Sequence, residues 1–319
     1  MKLTRILPLM VVIAAMLAFG VGCGEKHDLK LNLEECDVYH VYLTTDQTMT
    51  QEIQGQTQRQ TSTTTMKYSF YGQDTADDGS LNILMTFDSL NQRQQTPTGE
   101  VVFDPSQQTA DGAEANAVFS MLLGREFNMA VAPDGSIKNV TGFESYIGDV
   151  MGVLDSMAGA ETQGMMQQLR ADMETQFGDE AMKNNLQPIF PLLPDGAVAV
   201  GDTWTREYIL SKPYPMIITY DCKLGSIEDG KARVEYTSVI SADPDAEPLT
   251  MGPMTMAFAL AGTQSGYSLI DQATGWPMKI ENSQDIAGDI TMSSPMMEAG
   301  EMTIPMTLKS TSVMESFRE

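Results

Sequence analysis

Short runs in which apolar and polar residues alternate, broken by Asp-Gly pairs, constrain this chain more than any other feature. Ile83, Met85 and Phe87 alternate with Leu84, Thr86 and Asp88, and Ala232, Val234 and Tyr236 alternate with Arg233, Glu235 and Thr237. A period of two places one set on each face of a strand, the pattern of an antiparallel sheet with one dry face and one wet. Asp78-Gly79, Asp134-Gly135 and Asp229-Gly230 stand between such runs. Asp-Gly adopts the positive φ angles of a tight hairpin at little cost. The run Val38-Tyr39-His40-Val41-Tyr42-Leu43 is also β-rich. The prediction is a mainly β (α+β) domain built on one or more antiparallel, curved sheets.

The stretch from about Ser145 to Phe190 departs from this pattern. Ile147, Val150, Met151, Leu154 and Met157 recur at helical spacing, as do Met165, Met166, Leu169, Met173 and Phe177. Gly159 and Gly164 separate these two helices, and Pro188 closes a third, short one. The central segment, about 146–190, is therefore expected to pack on one face of the sheet. Gln92 to Asn116, rich in Gln, Thr, Pro and Gly, reads as a long loop with a brief strand at Val101–Phe103.

The flanks of the helical segment, about 30–145 and 191–319, run in parallel order. Cys36-Asp37-Val38-Tyr39 has a counterpart in Gly201-Asp202-Thr203-Trp204. The hairpin Met66–Phe70 with Ile83–Phe87 is answered by Ile217–Tyr220 with Ala232–Tyr236. The hairpin Gly124–Val131 with Ile137–Val140 is answered by Gly266–Ile270 with Met278–Ile280. An internally duplicated half-barrel would give this order, and so would a series of generic hairpins.

The first residues form a leader. Met1-Lys2-Leu3-Thr4-Arg5 is positive, and Ile6–Phe19 is an uncharged apolar run, shorter than the roughly 20 residues of a membrane-spanning helix. Gly20-Val21-Gly22 supplies small residues before Cys23. The arrangement resembles a bacterial lipobox, with Gly20 where Leu is usual. That resemblance implies a signal peptide over residues 1–22 and a lipidated Cys23 as the first mature residue. Residues 23–29 would be a tether and 30–319 the β-rich domain. Gly24, which is not Asp, implies an outer-membrane anchor facing the periplasm of a Gram-negative envelope. The charge agrees with attachment through lipid alone. Asp and Glu number 43 against 19 Lys and Arg, a net −24. Such a surface repels nucleic-acid phosphates and anionic head groups.

Leu193-Pro194 with Val198-Ala199-Val200-Gly201-Asp202-Thr203-Trp204 resembles a recurrent stretch of an uncharacterised bacterial lipoprotein family, domain of unknown function 6263. So does Phe127-Asn128-Met129 with Asp134-Gly135-Ser136-Ile137 and Val140-Thr141-Gly142. The resemblance covers most of the mature chain. It implies an exported β-rich domain and brings no activity and no catalytic residue.

The residues offer little chemistry. There are two histidines, His27 and His40, and no nucleophile motif near either. Asp74–Gly79 departs from a calcium loop at Ala76 and Met85 and reads as a hairpin turn. Cys36 and Cys222 would pair in an oxidising compartment or stand as separate thiols. No zinc or iron–sulfur site is expected from two cysteines, and no cofactor is expected. Methionine is abundant, 25 in all. Met254, Met256, Phe258 and Leu260 share one strand face, and Met165, Met166 and Met173 one helical stripe. These seven are the candidate lining of an adaptable apolar site; thioethers that bind Cu(I) are the sharper alternative. The expected function is a non-catalytic binding or carrier module for an apolar ligand or envelope component. The alternative is a structural or protein-interaction lipoprotein.

Overall fold

A computed structural model describes residues 24–104, 120–157, 163–211, 215–251, 254–294 and 300–319; the leader and Cys23 lie outside them. The chain builds one large antiparallel sheet in two meanders. The first contains β2 (Val38–Ile53), β3 (Gln56–Thr75), β4 (Leu81–Thr96), β5 (Gly99–Phe103), β6 (Glu126–Val131) and β7 (Ile137–Thr141). Three helices follow: α1 (Phe143–Met157), α2 (Gln163–Phe177) and α3 (Asp179–Leu186), with a 3-10 turn at Gln187–Ile189. The second meander contains β9 (Thr203–Leu210), β10 (Met216–Glu228), β11 (Lys231–Ala242), β12 (Leu249–Met251), β13 (Met254–Asp271), β14 (Pro277–Ser293) and β15 (Glu301–Arg318).

The order across the sheet is β7-β6-β4-β3-β2-β15-β14-β13-β11-β10-β9, with β5 paired to β4 and β12 to β13. The sheet is open, with β7 and β9 at its edges. The helices carry the chain from one edge to the other, and β15 returns to the centre to pair with β2. The ion pair between Arg318 and Asp37 fastens that junction, and the Glu319 amide donates to the Val38 carbonyl at 3.0 Å. The two meanders cross the sheet in the same direction, so β2, β3 and β4 hold the places in the first that β9, β10 and β11 hold in the second.

The hairpins form where expected. At β10–β11, Asp229 and Gly230 both have positive φ, 49° and 72°, the pattern of a two-residue turn matched to strand twist. At β3–β4 and β6–β7 the Asp78 and Asp134 carboxylates each accept from the backbone amide two residues on, at 3.0 Å. The Gln54-Gly55 turn between β2 and β3 also has positive φ at both positions and carried no Asp-Gly signal.

Strands extend well past the apolar alternation. The expected loop at Gln92 is strand as far as Thr96, paired with β5, because Thr and Gln continue a ladder that the backbone supplies; residues 105–119 lie outside those described. The expected tether is also part of the fold. Lys26–His27 forms β1, paired with β8 (Val198–Ala199), and Leu29, Leu31 and Leu33 are buried. These leucines close one end of the sheet together with Trp276, which is fully buried. The Trp276 ring stacks on Tyr39 at 4.3 Å between centroids, and its Nε1 donates to Ser316 Oγ at 3.0 Å. Gly275 makes room for the segment: φ is +68°, and a Cβ there would lie 2.1 Å from the Lys30 carbonyl oxygen.

Cys36 and Cys222 are separate free thiols. Cys36 is exposed before β2, whereas Cys222 is buried on the inner face of β10, so the pairing alternative falls.

Candidate functional site

Between the inner face of the sheet and the helices lies a cavity of about 490 Å³. It is touched by β4, β3, β2, β15, β14, β13, β11, β10 and β9, through residues such as Phe87, Tyr68, Leu43, Met314, Ile280, Tyr236, Tyr220 and Tyr208. Eight strand-to-strand steps in a flat sheet would spread these residues over about 38 Å. One cavity touching all nine strands therefore means that the sheet curls around it.

The helices form the other wall. Phe143 and Tyr146 of α1, Met173 and Phe177 of α2, and Met182 and Leu186 of α3 face the cavity. In α1 the period holds: Ile147, Val150 and Met151 are buried in the core, whereas Leu169 of α2 is exposed. α2 is thus the outer helix of the cover. Gly142 has no side chain to cap α1, and Asp179 at the start of α3 does so, accepting from the Phe143 amide at 2.8 Å. Gln187 ties the cover to the β6–β7 hairpin: its Oε1 accepts from the Ile137 amide at 2.8 Å and its Nε2 donates to the Gly135 carbonyl at 3.0 Å. Trp204 Nε1 donates to the Leu192 carbonyl at 3.1 Å, anchoring the segment beyond.

The cavity lining contains no Asp, Glu, Lys, Arg or His among the described residues, in a chain where those of the first four types make up 19%. The tyrosines are neutral phenols. Burial pushes those of Tyr146 and Tyr220 up to about 12 and raises those of Tyr68, Tyr208 and Tyr236 as well. Burial likewise pushes the Cys222 thiol up to about 12, which removes its thiolate chemistry.

The walls are largely apolar, with Asn184, Asn185 and Gln187 among the residues of the cover, and the floor is polar throughout. Thr64, Thr45, Ser312 and Asn282 stand in cross-strand register on β3, β2, β15 and β14. The next inward row holds Gln47, Ser310, Gln284 and Gln264 on β2, β15, β14 and β13. All eight line the cavity. Ser310 Oγ donates to Gln284 Oε1 at 3.2 Å, and Tyr220 Oη to Gln264 Oε1 at 3.3 Å.

Of the seven residues expected to line an apolar site, six have described side chains, and among these only Met173 lines the cavity. Met254, Met256, Phe258 and Leu260 share the inner face as expected, but toward the end of β13 remote from the cavity-lining Gln264 and Ser268. There Met256 lies in register with Met292, and Met292 with Met302, in a half-exposed thioether row. Met166 packs against the core; the side chain of Met165 lies outside the described residues. Alternation pointed to Tyr236 as an inward residue, but nothing marked the polar floor. Among the described residues no group of three or more His, Cys, Asp and Glu could hold a metal. His40 sits on β2 with its Nδ1 2.9 Å from Ser69 Oγ, and Ser69 donates to Asp88 at 2.6 Å. The serine proton is thereby committed to the carboxylate and not to the imidazole.

The sequence model of one family, DUF6263, described as a family of unknown function, matches residues 78–277. The chain belongs to the DUF6263 family. The matched segment runs from the β3–β4 turn to the start of β14, so the DUF6263 region carries the three helices and much of the cavity wall, while β2 and β15 add part of the floor from outside it. Among curated proteins none matches the chain. Among solved structures, one described as lipid-protein interactions in lipovitellin is similar at 9% identity and a TM-score of 0.48, over 90% of this chain and 26% of that one. The chain thus spans about a quarter of that protein's length. An outer membrane channel from Pseudomonas putida F1 is similar at 9% identity and a TM-score of 0.25, over 90% of this chain and 97% of that one. A DUF1329 family protein from Desulfovibrio piger gives 9% identity and a TM-score of 0.16, over 86% and 83%. No described helix is long and apolar enough to cross a membrane.

Proposed function

We propose that this protein is a non-catalytic binding or carrier module for an apolar ligand, held at the cell envelope by lipid on Cys23. The observation that carries the reading is the cavity of about 490 Å³, walled mainly by aromatic, aliphatic and Met side chains and free of charge among its described residues. Its size falls within the roughly 300–1,000 Å³ of small-molecule sites. Burial there removes apolar ligand surface from water at about 25 cal/mol per Å², and flexible Met173 and Met314 adapt to ligand shape. The acidic exterior keeps the domain off anionic head groups, so the covalent lipid supplies membrane attachment.

The test is to purify the protein from its own envelope and extract it for mass spectrometry. A lipid should co-purify, and Met173→Trp, which narrows the cavity, should reduce the amount carried while melting like the parent. A protein that carries no lipid and binds no apolar fluorescent probe would overturn the reading. Mass spectrometry of the mature N-terminus tests the anchor, and an unmodified Cys23 would refute it.

A second reading, a protein-interaction lipoprotein, is favoured by the outer side of the sheet near its β9 edge. Ile209 and Val239 are 60% and 62% exposed there. Crosslinking in the envelope that captures no partner through this patch would sink it.

A further inference from the structure

We infer that the cavity takes a neutral amphiphile, an apolar chain with an uncharged hydroxyl, ester or amide head, and rejects ionised heads such as a carboxylate or phosphate. This deepens the carrier reading and rests on it. The observation is the polar floor. A cavity built only for hydrocarbon, or a core built only for stability, would carry apolar residues in every inward row. Here the rows beside the floor are mostly apolar: Leu43, Met314 and Ile280 on one side, with Ser268 next in register, and Met49, Leu308 and Ile286 on the other, with Gln60 beside Met49. Between them two successive rows are amides and hydroxyls. Hydrogen bonds within the floor leave part of it open. Asn282 lines the cavity, and its Oδ1 is buried without a hydrogen-bond partner. A buried acceptor without a partner is unfavourable, and a ligand that donates to it removes that penalty.

The same lining disfavours a charged head. At the buried part of the floor, beside Gln264 and the Asn282 Oδ1, an ion would lose its hydration and meet no charged side chain of the lining, whereas Gln47 at the other end is exposed. Arg125 stands over the lining Tyr146, 5.6 Å from its ring centroid, and is paired with Asp149; a second cation beside the lining is Arg206 on β9, opposite Tyr220. Its guanidinium is already engaged: Nε donates to the Leu193 carbonyl at 2.8 Å, and NH2 lies 2.8 Å from Asp195 and 3.7 Å from Asp134. The tyrosines facing the cavity are held neutral by burial, so no anionic phenolate is present to bind a cationic head either. Amides and hydroxyls both donate and accept, which suits a hydroxyl, ester or amide.

The test is displacement of a bound apolar fluorescent probe by a long-chain alcohol and by the fatty acid of equal length. Mildly alkaline buffer keeps the free acid ionised. The alcohol should displace the probe at a concentration about tenfold lower or more. Gln284→Lys, which places a cation on the floor, should narrow or reverse that preference. A wild-type protein that takes the acid as readily as the alcohol overturns the inference and leaves the carrier reading standing. A protein that binds neither ligand nor probe overturns both. The wild-type comparison decides the matter even if Gln284→Lys folds poorly.

Discussion

Replacing Asp179 by Ala should loosen the helical cover from the sheet. Its Oδ1 accepts from the Phe143 amide at 2.8 Å and lies 3.4 Å from the Glu144 amide. These are the first amides of α1, which have no partner inside the helix, and Gly142 offers no side chain to satisfy them. Phe143 is 1% exposed, and its ring stacks on Phe127 at 3.8 Å between centroids. Water therefore cannot replace the carboxylate without disturbing that stack. Loss of an N-terminal cap costs about 0.5–2 kcal/mol, and a buried donor left unpaired costs about 1–3 kcal/mol. Both figures describe the same loss, so they are not added, and about 2 kcal/mol is expected. Asp179 also begins α3, where its charge contributes about 0.3–1 kcal/mol. The better helix propensity of Ala offsets that by a few tenths of a kcal/mol. In a domain of about 290 residues, about 2 kcal/mol lowers the melting temperature by about 3 °C, which circular dichroism resolves. Asp179→Asn keeps the oxygen acceptor and removes the charge, so it should lose about 1 kcal/mol or less. If the Ala variant melts within about one degree of the parent, or if Asn and Ala cost the same, Asp179 is not the cap of α1.

Other perturbations read other parts of the structure. The buried Cys222, Tyr146 and Tyr220 are pushed up to about 12 from 9.0 for the thiol and 10.0 for the phenols. Their contribution is complete below the unfolded values and lost as pH rises through the folded ones. Stability should therefore hold to about pH 9 and fall toward 12; urea midpoints that do not change over that range would contradict the burial of these groups. Gly275→Ala should cost at least about 2 kcal/mol, through positive φ and the Lys30 carbonyl, against about 1 kcal/mol for Gly230→Ala. Gly230 has φ +72° but nothing within 4 Å of the added Cβ, so equal urea midpoints for the two variants would count against the docked N-terminal segment. Dilute peroxide should oxidise the half-exposed Met256, Met292 and Met302 before the buried Met85 and Met151. Peptide mass spectrometry gives the order, and early oxidation of Met151 would mean that the cover opens.

The strands and helices were legible where side chains repeat with the period of the element. Ile83, Met85 and Phe87 point inward, as their alternation requires, and Ile147, Val150 and Met151 are the buried stripe of α1. The polar parts of the strands were not legible. Thr44–Gln51 and Gln56–Thr65 show little apolar alternation, because Thr45, Gln47 and Thr64 form part of the polar cavity floor and Gln56–Arg59 are exposed on both faces. Their strand state comes from ladder hydrogen bonds to neighbouring strands, and sequence-local rules do not register those. For the same reason Gln92–Thr96 read as loop, and the methionines of β13 read as cavity lining when they lie farther along the same face.

From the sequence alone came the β class, the positions of the Asp-Gly turns, the central helices, the lipobox-like leader and the absence of familiar catalytic or metal motifs. Each depends on residues close together in the chain: alternation, a turn pair, a 3.6-residue stripe. The tertiary structure decided the rest. It brought β15 back against β2, docked residues 26–33 into the closed end, separated Cys36 from Cys222, and set Thr45, Gln284 and Ser312 side by side beneath Phe143 and Met173. Thr45 and Gln284, like β2 and β15, are more than 200 residues apart in the chain, and cross-strand register, which joins them, is a property of the folded sheet.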